Sequence, residues 1–201
     1  MASILKVDTI QDQDGNNIIN ESADTITIGA SGDTITVPTG ATLTVPSGGL
    51  SGQNYPAFNV ELSATQTGVS DNVATRVDFN NVLLDTDSAY DNATGYRFTV
   101  PSGKAGKYYF EGNVQVANAT ANNMQNVTIY IYKNGSSVRS ASYALANATG
   151  YFNNMSIVTT SILDLVATDF IQIFAKSNTA SGDVKFESSP KSYFLGYRIG
   201  D

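Results

Sequence analysis

The stretch Gly106-Lys-Tyr-Tyr-Phe-Glu-Gly-Asn-Val-Gln-Val-Ala117 alternates between two kinds of side chain. Its apolar positions recur at every second residue and are Tyr108, Phe110, Val114 and Val116. The positions between them carry Tyr109, Glu111, Asn113 and Gln115. Successive side chains of a β-strand point to opposite faces, so this pattern predicts a long strand with one buried face.

The segment 126–133 repeats the pattern, with Val127, Ile129 and Ile131 on one face. Asn134-Gly135 follows it and is the strongest short signal for a hairpin turn. Further strands are predicted at residues 58–62, 76–79, 96–100, 138–145, 155–165, 170–175 and 193–199. About eight to ten antiparallel strands, with no amphipathic helix, predict an all-β sandwich or jelly roll.

The first quarter of the chain has a different composition, because all eleven Tyr and all nine Phe lie beyond residue 54. Three short repeats occupy this part: Asp24-Thr-Ile-Thr-Ile-Gly29, Asp33-Thr-Ile-Thr-Val-Pro38 and Thr42-Leu-Thr-Val-Pro46. Each reads as a short strand that ends at Gly or Pro. The sequence therefore predicts two domains, residues 1–54 and residues 55–201.

The apolar stripe of these repeats is too narrow to form a core within one chain. Three chains wound around a common axis would cover it, which predicts an intertwined trimeric stalk. Its expected core residues are Ile26, Ile28, Ile35, Val37, Leu43 and Val45. The alternative is a disordered tail rich in Thr and Gly, although such tails lack regular aliphatic alternation.

The composition excludes several functional classes. The chain has no Cys and no His, so disulfides, catalytic triads and zinc fingers are absent. A net charge of −7 argues against binding to nucleic acid, and no cofactor is expected. No apolar run is long enough to insert into a membrane, and the start lacks the features of a signal peptide, which predicts synthesis in a cytoplasm.

Residues 56–199 resemble the trimeric jelly-roll domain of complement C1q, which is related in fold to tumour necrosis factor. The landmarks occur in the same order as in that family: Pro56-Ala-Phe58, Val77-Asp-Phe79, Tyr90-Asp91, Thr94-Gly95, Phe98, Pro101, Gly106, Tyr108-Tyr-Phe110, Tyr132-Lys-Asn-Gly135, Leu163, Leu165, Asp169 and Phe194-Leu-Gly196. Two features depart from the family pattern. Thr168 replaces the usual Gly before Asp169, and the turn 101–106 is longer than usual. The resemblance implies a C1q/TNF-like β-sandwich that assembles as a homotrimer.

The N-terminus carries a second resemblance. Ser3-Ile-Leu-Lys-Val-Asp-Thr-Ile10, followed by Asp14-Gly-Asn-Asn-Ile-Ile19, is similar to the opening of tail-fibre and appendage proteins of marine bacteriophages, particularly those that infect cyanobacteria. The Thr-Ile-Thr-Val-Pro repeats are similar to the shafts of such fibres. A shaft followed by a C1q-like head is the arrangement that a phage fibre with a distal knob would need.

Four aromatic side chains are expected to point away from the core: Tyr109, Tyr130, Tyr132 and Phe174. Large exposed rings are covered by another layer of the same chain, by a neighbouring subunit or by a ligand. Because C1q-like trimers pack one sheet of each protomer around the axis, the resemblance favours a subunit interface. On this hypothesis Tyr132→Ala would weaken trimerisation.

Two sets of carboxylates are weaker candidates for a site. Asp85, Asp87 and Asp91 could offer oxygen ligands to calcium, but Asp is also common in solvated turns. A carbohydrate-active enzyme would need a pair of carboxylates, for which Glu61, Glu111 and Glu187 are available without a motif that singles out a pair. Neither metal binding nor catalysis is therefore expected.

The sequence predicts a structural virion protein, a homotrimeric fibre or spike made in the host cytoplasm. Its N-terminal region would bind another virion protein, and its knob would adsorb to a glycan or protein of the host surface. The contacting loops would be residues 118–123 or 178–183, which are rich in Asn, Ser and Thr. The alternatives are a capsid-decorating protein and, less favoured, a carbohydrate-active enzyme.

Overall fold

The computed structural model describes residues 9–11, 13, 15, 17–22, 25–28, 33–43, 56–118, 124–145, 152–180 and 184–200. The chain divides into two compact units, Met1–Gly52 and Gln53–Asp201. Every regular element in the described residues is a β-strand, and all pairings are antiparallel. The strands are β1 (Thr9–Gln11), β2 (Asn17–Ser22), β3 (Thr25–Ile28), β4 (Ala57–Glu61), β5 (Gln66–Val69), β6 (Thr75–Arg76), β7 (Asn81–Asp85), β8 (Tyr90–Asp91), β9 (Arg97–Thr99), β10 (Gly106–Asn118), β11 (Met124–Lys133), β12 (Ser136–Ala144), β13 (Asn154–Leu165), β14 (Phe170–Thr179), β15 (Val184–Phe186) and β16 (Tyr193–Gly200).

The N-terminal unit contains a three-stranded sheet in the order β1-β2-β3. Strand β3 contains the first Thr-Ile-Thr-Ile repeat, as the alternation predicted. The second repeat differs from the prediction, because residues 33–43 form no strand. A single extended segment cannot pair its backbone groups without a neighbouring strand, and among the described residues no strand pairs with this segment.

The proposed stalk stripe is uncovered in a single chain. Ile26, Ile28, Ile35, Val37 and Leu43 are all exposed. Val45 lies outside the described residues. The stripe is therefore available for burial by other copies, and its role as a stalk core stays a prediction.

The C-terminal unit is a sandwich of two antiparallel sheets. The first sheet has the order β5-β15-β10-β16-β4-β7, and β13 pairs with the other edge of β10. The second sheet has the order β12-β11-β14-β9-β8, and β6 also pairs with β14. The length of β10 lets one of its edges pair with β16 over its first half and with β15 at its end.

The core lies between the two sheets and is rich in aromatic rings. Tyr108, Phe110, Val114 and Val116 are fully buried, which confirms the inward face predicted for β10. From the second sheet, Val127, Ile129 and Ile131 are also fully buried, as predicted. The core is therefore formed by the alternate side chains of both sheets, and the remaining side chains form two outer faces.

Two turns of the head contain non-glycine residues with positive φ angles. Asn134 and Gly135 both have positive φ, at 51° and 81°, as a type I′ hairpin between β11 and β12 requires. Thr168 also has a positive φ, 75°, in the turn that precedes β14. Glycine adopts this conformation freely, whereas a β-branched residue is strained in it.

Replacing Thr168 by Gly should therefore stabilise the head. The Thr168 side chain is exposed, so its removal sacrifices no buried contact. Relief of left-handed strain, less the greater freedom of Gly in the unfolded chain, should add about 1 kcal/mol to the free energy of unfolding. Denaturant unfolding of Thr168→Gly measures this gain. Thr168→Ala keeps a Cβ and should give much less, and equal gains from both variants would contradict the explanation.

Candidate assembly and binding surfaces

The outer side of the first sheet carries a mixed apolar and tyrosine surface, which we call the β10 face. Its members are Leu83, Tyr109, Glu111, Val158, Ile162, Tyr193, Leu195 and Tyr197. Strand register places Ile162 of β13 directly opposite Tyr109, and Tyr197 of β16 lies opposite Tyr109 on the other side. The rings of Tyr109 and Tyr197 are in contact, with centroids 5.3 Å apart.

Large apolar side chains of this face are open to solvent in a single chain. Ile162 is 62% exposed, Leu83 is 57% exposed, and Val158 and Tyr197 are each 46% exposed. Leu83 also lines a shallow pocket together with Tyr193, Leu195 and Pro190. A contiguous exposed apolar patch rimmed by polar groups is typical of an interaction surface.

A carboxylate held by two phenols lies in the middle of the β10 face. Tyr109 and Tyr193 donate their hydroxyl protons to the two oxygens of Glu111, each at 2.7 Å. The hydrogen bond to Glu111, together with desolvation, raises the pKa of Tyr109 to about 12. Burial, followed by the bond to Glu111, raises the pKa of Tyr193 to about 12. The two phenols therefore remain neutral donors near neutral pH, and they orient the Glu111 carboxylate.

The outer side of the second sheet carries a different surface, the β14 face. Its members are Arg76, Arg97, Tyr130, Tyr132, Gln172 and Phe174. The Tyr132 and Phe174 rings lie 4.2 Å apart, and Tyr130 meets Tyr132 edge-on at 6.0 Å. Opposite Phe174 in register lies Arg76, whose guanidinium stands 4.8 Å from the Tyr96 ring. This face is thus aromatic and cationic.

The four outward aromatic residues predicted from the sequence do not share one surface. Tyr109 belongs to the β10 face, whereas Tyr130, Tyr132 and Phe174 belong to the β14 face. All four point away from the core, as expected, and all are half-buried. Their assignment to a trimer interface stays a prediction, and the structure divides it between two opposite sides of the sandwich.

The aspartates proposed as calcium ligands are occupied by their own turns. Asp85 accepts hydrogen bonds from the backbone of Ala89 and Tyr90. Asp91 accepts four hydrogen bonds from residues 93–95, and the backbone donor of Thr94 contributes most to lowering the pKa of Asp91. Among the described residues no group of three or more acidic, His or Cys side chains could hold a metal. The local hydrogen bonds account for the conformations of Asp85 and Asp91, and calcium binding at Asp85, Asp87 and Asp91 stays an untested alternative.

The glutamates considered for catalysis are also engaged locally. Glu61 accepts hydrogen bonds from Asn81 and Ser189. Glu187 forms ion pairs with Lys185 and Lys191, and the hydrogen bond from Lys185 is the main cause that lowers its pKa. With Glu111 bound by two phenols, each carboxylate has a structural partner, and the arrangement favours no acid–base pair.

One charged cluster was not predicted as a site and has a structural role. Asp169 is buried and accepts hydrogen bonds from Asn134 and from the backbone of Val166, and it pairs with Lys133 at 2.8 Å. Burial alone would raise its pKa, but these donors outweigh burial and lower the pKa of Asp169 to about 2. The cluster connects the β11–β12 hairpin to the turn before β14.

The segments 119–123 and 181–183 of the predicted contact loops lie outside the described residues.

In the part of the chain that the structure describes, no helix has the length and apolar character needed to cross a membrane.

Comparisons with known proteins agree with this architecture. A family model for the C1q domain matches residues 57–199. The chain is similar to the globular domain of zebrafish complement 1qA protein, with 19% sequence identity and a TM-score of 0.47 over 72% of this chain and 97% of that one. It is also similar to Eiger TNF from S. frugiperda, with 11% identity and a TM-score of 0.52 over 74% of this chain and 95% of that one. No curated protein matches the chain.

Proposed function

The chain belongs to the C1q domain family through residues 57–199, and from this premise we propose that it is a homotrimeric structural and binding protein. C1q and TNF-family domains typically form homotrimers and act as binding or structural modules without enzymatic activity. The observation that carries the proposal for this chain is the β10 face, where four large apolar side chains are about half exposed or more in a single protomer.

The geometry of the sandwich favours the β10 face as the surface around the threefold axis. Its two outer faces point in opposite directions, so pairing one with the other would extend as an open stack and would not close into a ring. We infer that one of the two faces, packed against a different surface of the neighbouring copy, lines the axis. The β10 face offers the exposed aliphatic residues Leu83, Val158 and Ile162, whereas the β14 face offers half-buried rings and cations.

The native mass of the full chain tests the assembly. We expect three times the 21.3 kDa mass of one chain. Mass measurement at micromolar protein concentration suffices, because a specific interface of ordinary size holds together at that concentration. A stable monomer would refute the proposal.

The proposed biological setting is a virion, in which the trimer is a fibre or spike with a C1q-like knob. The support for this setting is the similarity of Ser3-Ile-Leu-Lys-Val-Asp-Thr-Ile10 to the opening of phage tail-fibre proteins, and of the Thr-Ile-Thr-Val-Pro repeats to their shafts. The N-terminal region would attach to another virion protein, and the knob would adsorb to the host surface. Labelled antibody bound to intact particles tests the setting: a signal at the tail supports a fibre, and an evenly covered shell supports the capsid-decorating alternative.

The stalk should depend on trimerisation for its order. Changing Ile26, Ile28, Ile35 and Val37 to Ser removes the apolar stripe, so residues before the head should become sensitive to protease. The head should still form a trimer, because its core and the β10 face are built from residues of the second unit. Limited proteolysis measures the protease sensitivity of the stalk, and native mass measurement of the resulting fragment shows whether the head is still a trimer. Unchanged protease resistance would show that the four side chains are not buried between chains.

A further inference from the structure

The β14 face has a regular arrangement of rings and cations. Strand register aligns Tyr130 with Phe174 and then Phe174 with Arg76 across three strands. In the next row, Tyr132 lies opposite Gln172, whose amide donates to the carbonyl of Gly95 at 2.8 Å. Adjacent strands are about 4.8 Å apart, so the rings of β11 and the cations two strands away are about 10 Å apart.

The cations of this face retain capacity to bind an anion. The guanidinium of Arg97 lies 4.5 Å from the Phe170 ring centroid, and its buried Nε has no hydrogen-bond partner among the described residues. Lys176, further along β14, makes a long 3.4 Å contact with the Asn72 side chain. Asp78 pairs with Arg76 at 2.6 Å, and Asp91, which lies opposite Arg97 in strand register, accepts backbone hydrogen bonds from its own turn. Arg97 and Lys176 are therefore the cations that an anion would meet.

We propose that the β14 face binds an acidic polysaccharide, with a uronate carboxylate at Arg97 and an adjacent sugar ring against Tyr132 and Phe174. Guanidinium groups match the planar geometry of carboxylates, and aromatic faces accept the apolar faces of pyranose rings. The rings and the cations lie close enough on one face for a single oligosaccharide to reach both. This inference rests on the binding function proposed for the head and names its ligand class.

Charge favours this occupant over a second copy of the protein. The chain carries a net charge of −7, yet this face presents Arg97 and Lys176 beside the Arg76–Asp78 ion pair. Two such faces brought together would place like charges opposite each other, which is unfavourable in an interface. A polyanion would instead find complementary charge, and threefold display would increase its avidity.

Titration of the full-length trimer with an alginate hexamer tests the inference. We expect binding that weakens as salt is raised, and no comparable binding of cellohexaose, a neutral oligomer of equal length. Tyr132→Ala and Arg97→Gln should each reduce the affinity for the alginate hexamer by about tenfold or more, which corresponds to losing one good contact. Tyr143→Ala and Arg139→Gln are matched controls, because they make the same changes at exposed positions of β12 outside the β14 face, and they should leave the affinity unchanged.

Each outcome bears on the proposal. Equal binding of the alginate hexamer and of cellohexaose, or no binding of either, would overturn it. A Tyr132→Ala variant that becomes monomeric would also overturn it, because the face would then be a subunit contact. Circular dichroism establishes that the variants are folded. Native mass measures the trimer separately, so failure of assembly and failure of glycan binding are distinguishable.

Discussion

Ile162→Asp should dissociate the trimer into folded monomers. Ile162 is 62% exposed in a single chain and lies on β13, directly opposite Tyr109 of β10. If this face lines the axis, the substitution removes an apolar contact and buries a carboxylate in each of three copies, at a cost of about 2 kcal/mol or more per interface. Native mass measurement across a dilution series reads the shift from trimer to monomer.

The matched control is Val138→Asp, which introduces the same charge at an exposed aliphatic position of β12 in the other sheet. We expect that variant to remain trimeric. Both variants should keep a β-type circular dichroism spectrum, because neither side chain lies in the core. If Ile162→Asp remains trimeric at concentrations where the unmodified chain begins to dissociate, the β10 face is not the interface. The hypothesis that Tyr132 of the β14 face lies in the trimer interface would then be favoured.

Gly196→Ala should strongly destabilise the head. Gly196 lies on β16 between Phe110 of β10 and Phe58 of β4, and an added Cβ would lie 2.5 Å from Cδ1 of Phe110 and 2.8 Å from Cε1 of Phe58. Both rings are buried, so they cannot move aside without disturbing the core. Overpacking of this kind costs about 1–3 kcal/mol in the free energy of unfolding.

Gly200→Ala is the matched control on the same strand, because an added Cβ there meets nothing within 4 Å. Denaturant unfolding of the two variants compares them directly. The midpoint should fall markedly for Gly196→Ala and change little for Gly200→Ala. Similar midpoints would mean that the aromatic core can repack around the extra methyl group.

The strands whose inner and outer faces the sequence predicted are long ones, in which alternation runs for many residues. In β10 and β11 the identity of each side chain indicates its face, and burial agrees at Tyr108, Phe110, Ile129 and Ile131. The Asn134-Gly135 hairpin was predictable because few residues accept two consecutive positive φ angles. These features are local, and chain chemistry alone specifies them.

Four strands of the head were not predicted: β5, β7, β8 and β15. Each is five residues or shorter and offers little alternation, although the equally short β4, β6 and β9 overlap predicted segments. Their pairing depends on distant partners, since β5 pairs with β15 and β7 pairs with β4. Conversely, residues 33–37, which were predicted to form a strand, form none, and no strand among the described residues pairs with them.

The sequence by itself determined that the head is an all-β sandwich and that Tyr109, Tyr130, Tyr132 and Phe174 point out of its core. Period-two alternation fixes the face of a side chain within its own strand. Only the tertiary structure decided that Tyr109 lies on one side of the sandwich and the other three on the opposite side. Sheet membership depends on which strands pair across long stretches of chain, and no local pattern encodes that choice. The aromatic and cationic β14 face exists for the same reason, because it joins Arg76, Tyr130 and Phe174 across three strands that are distant in sequence.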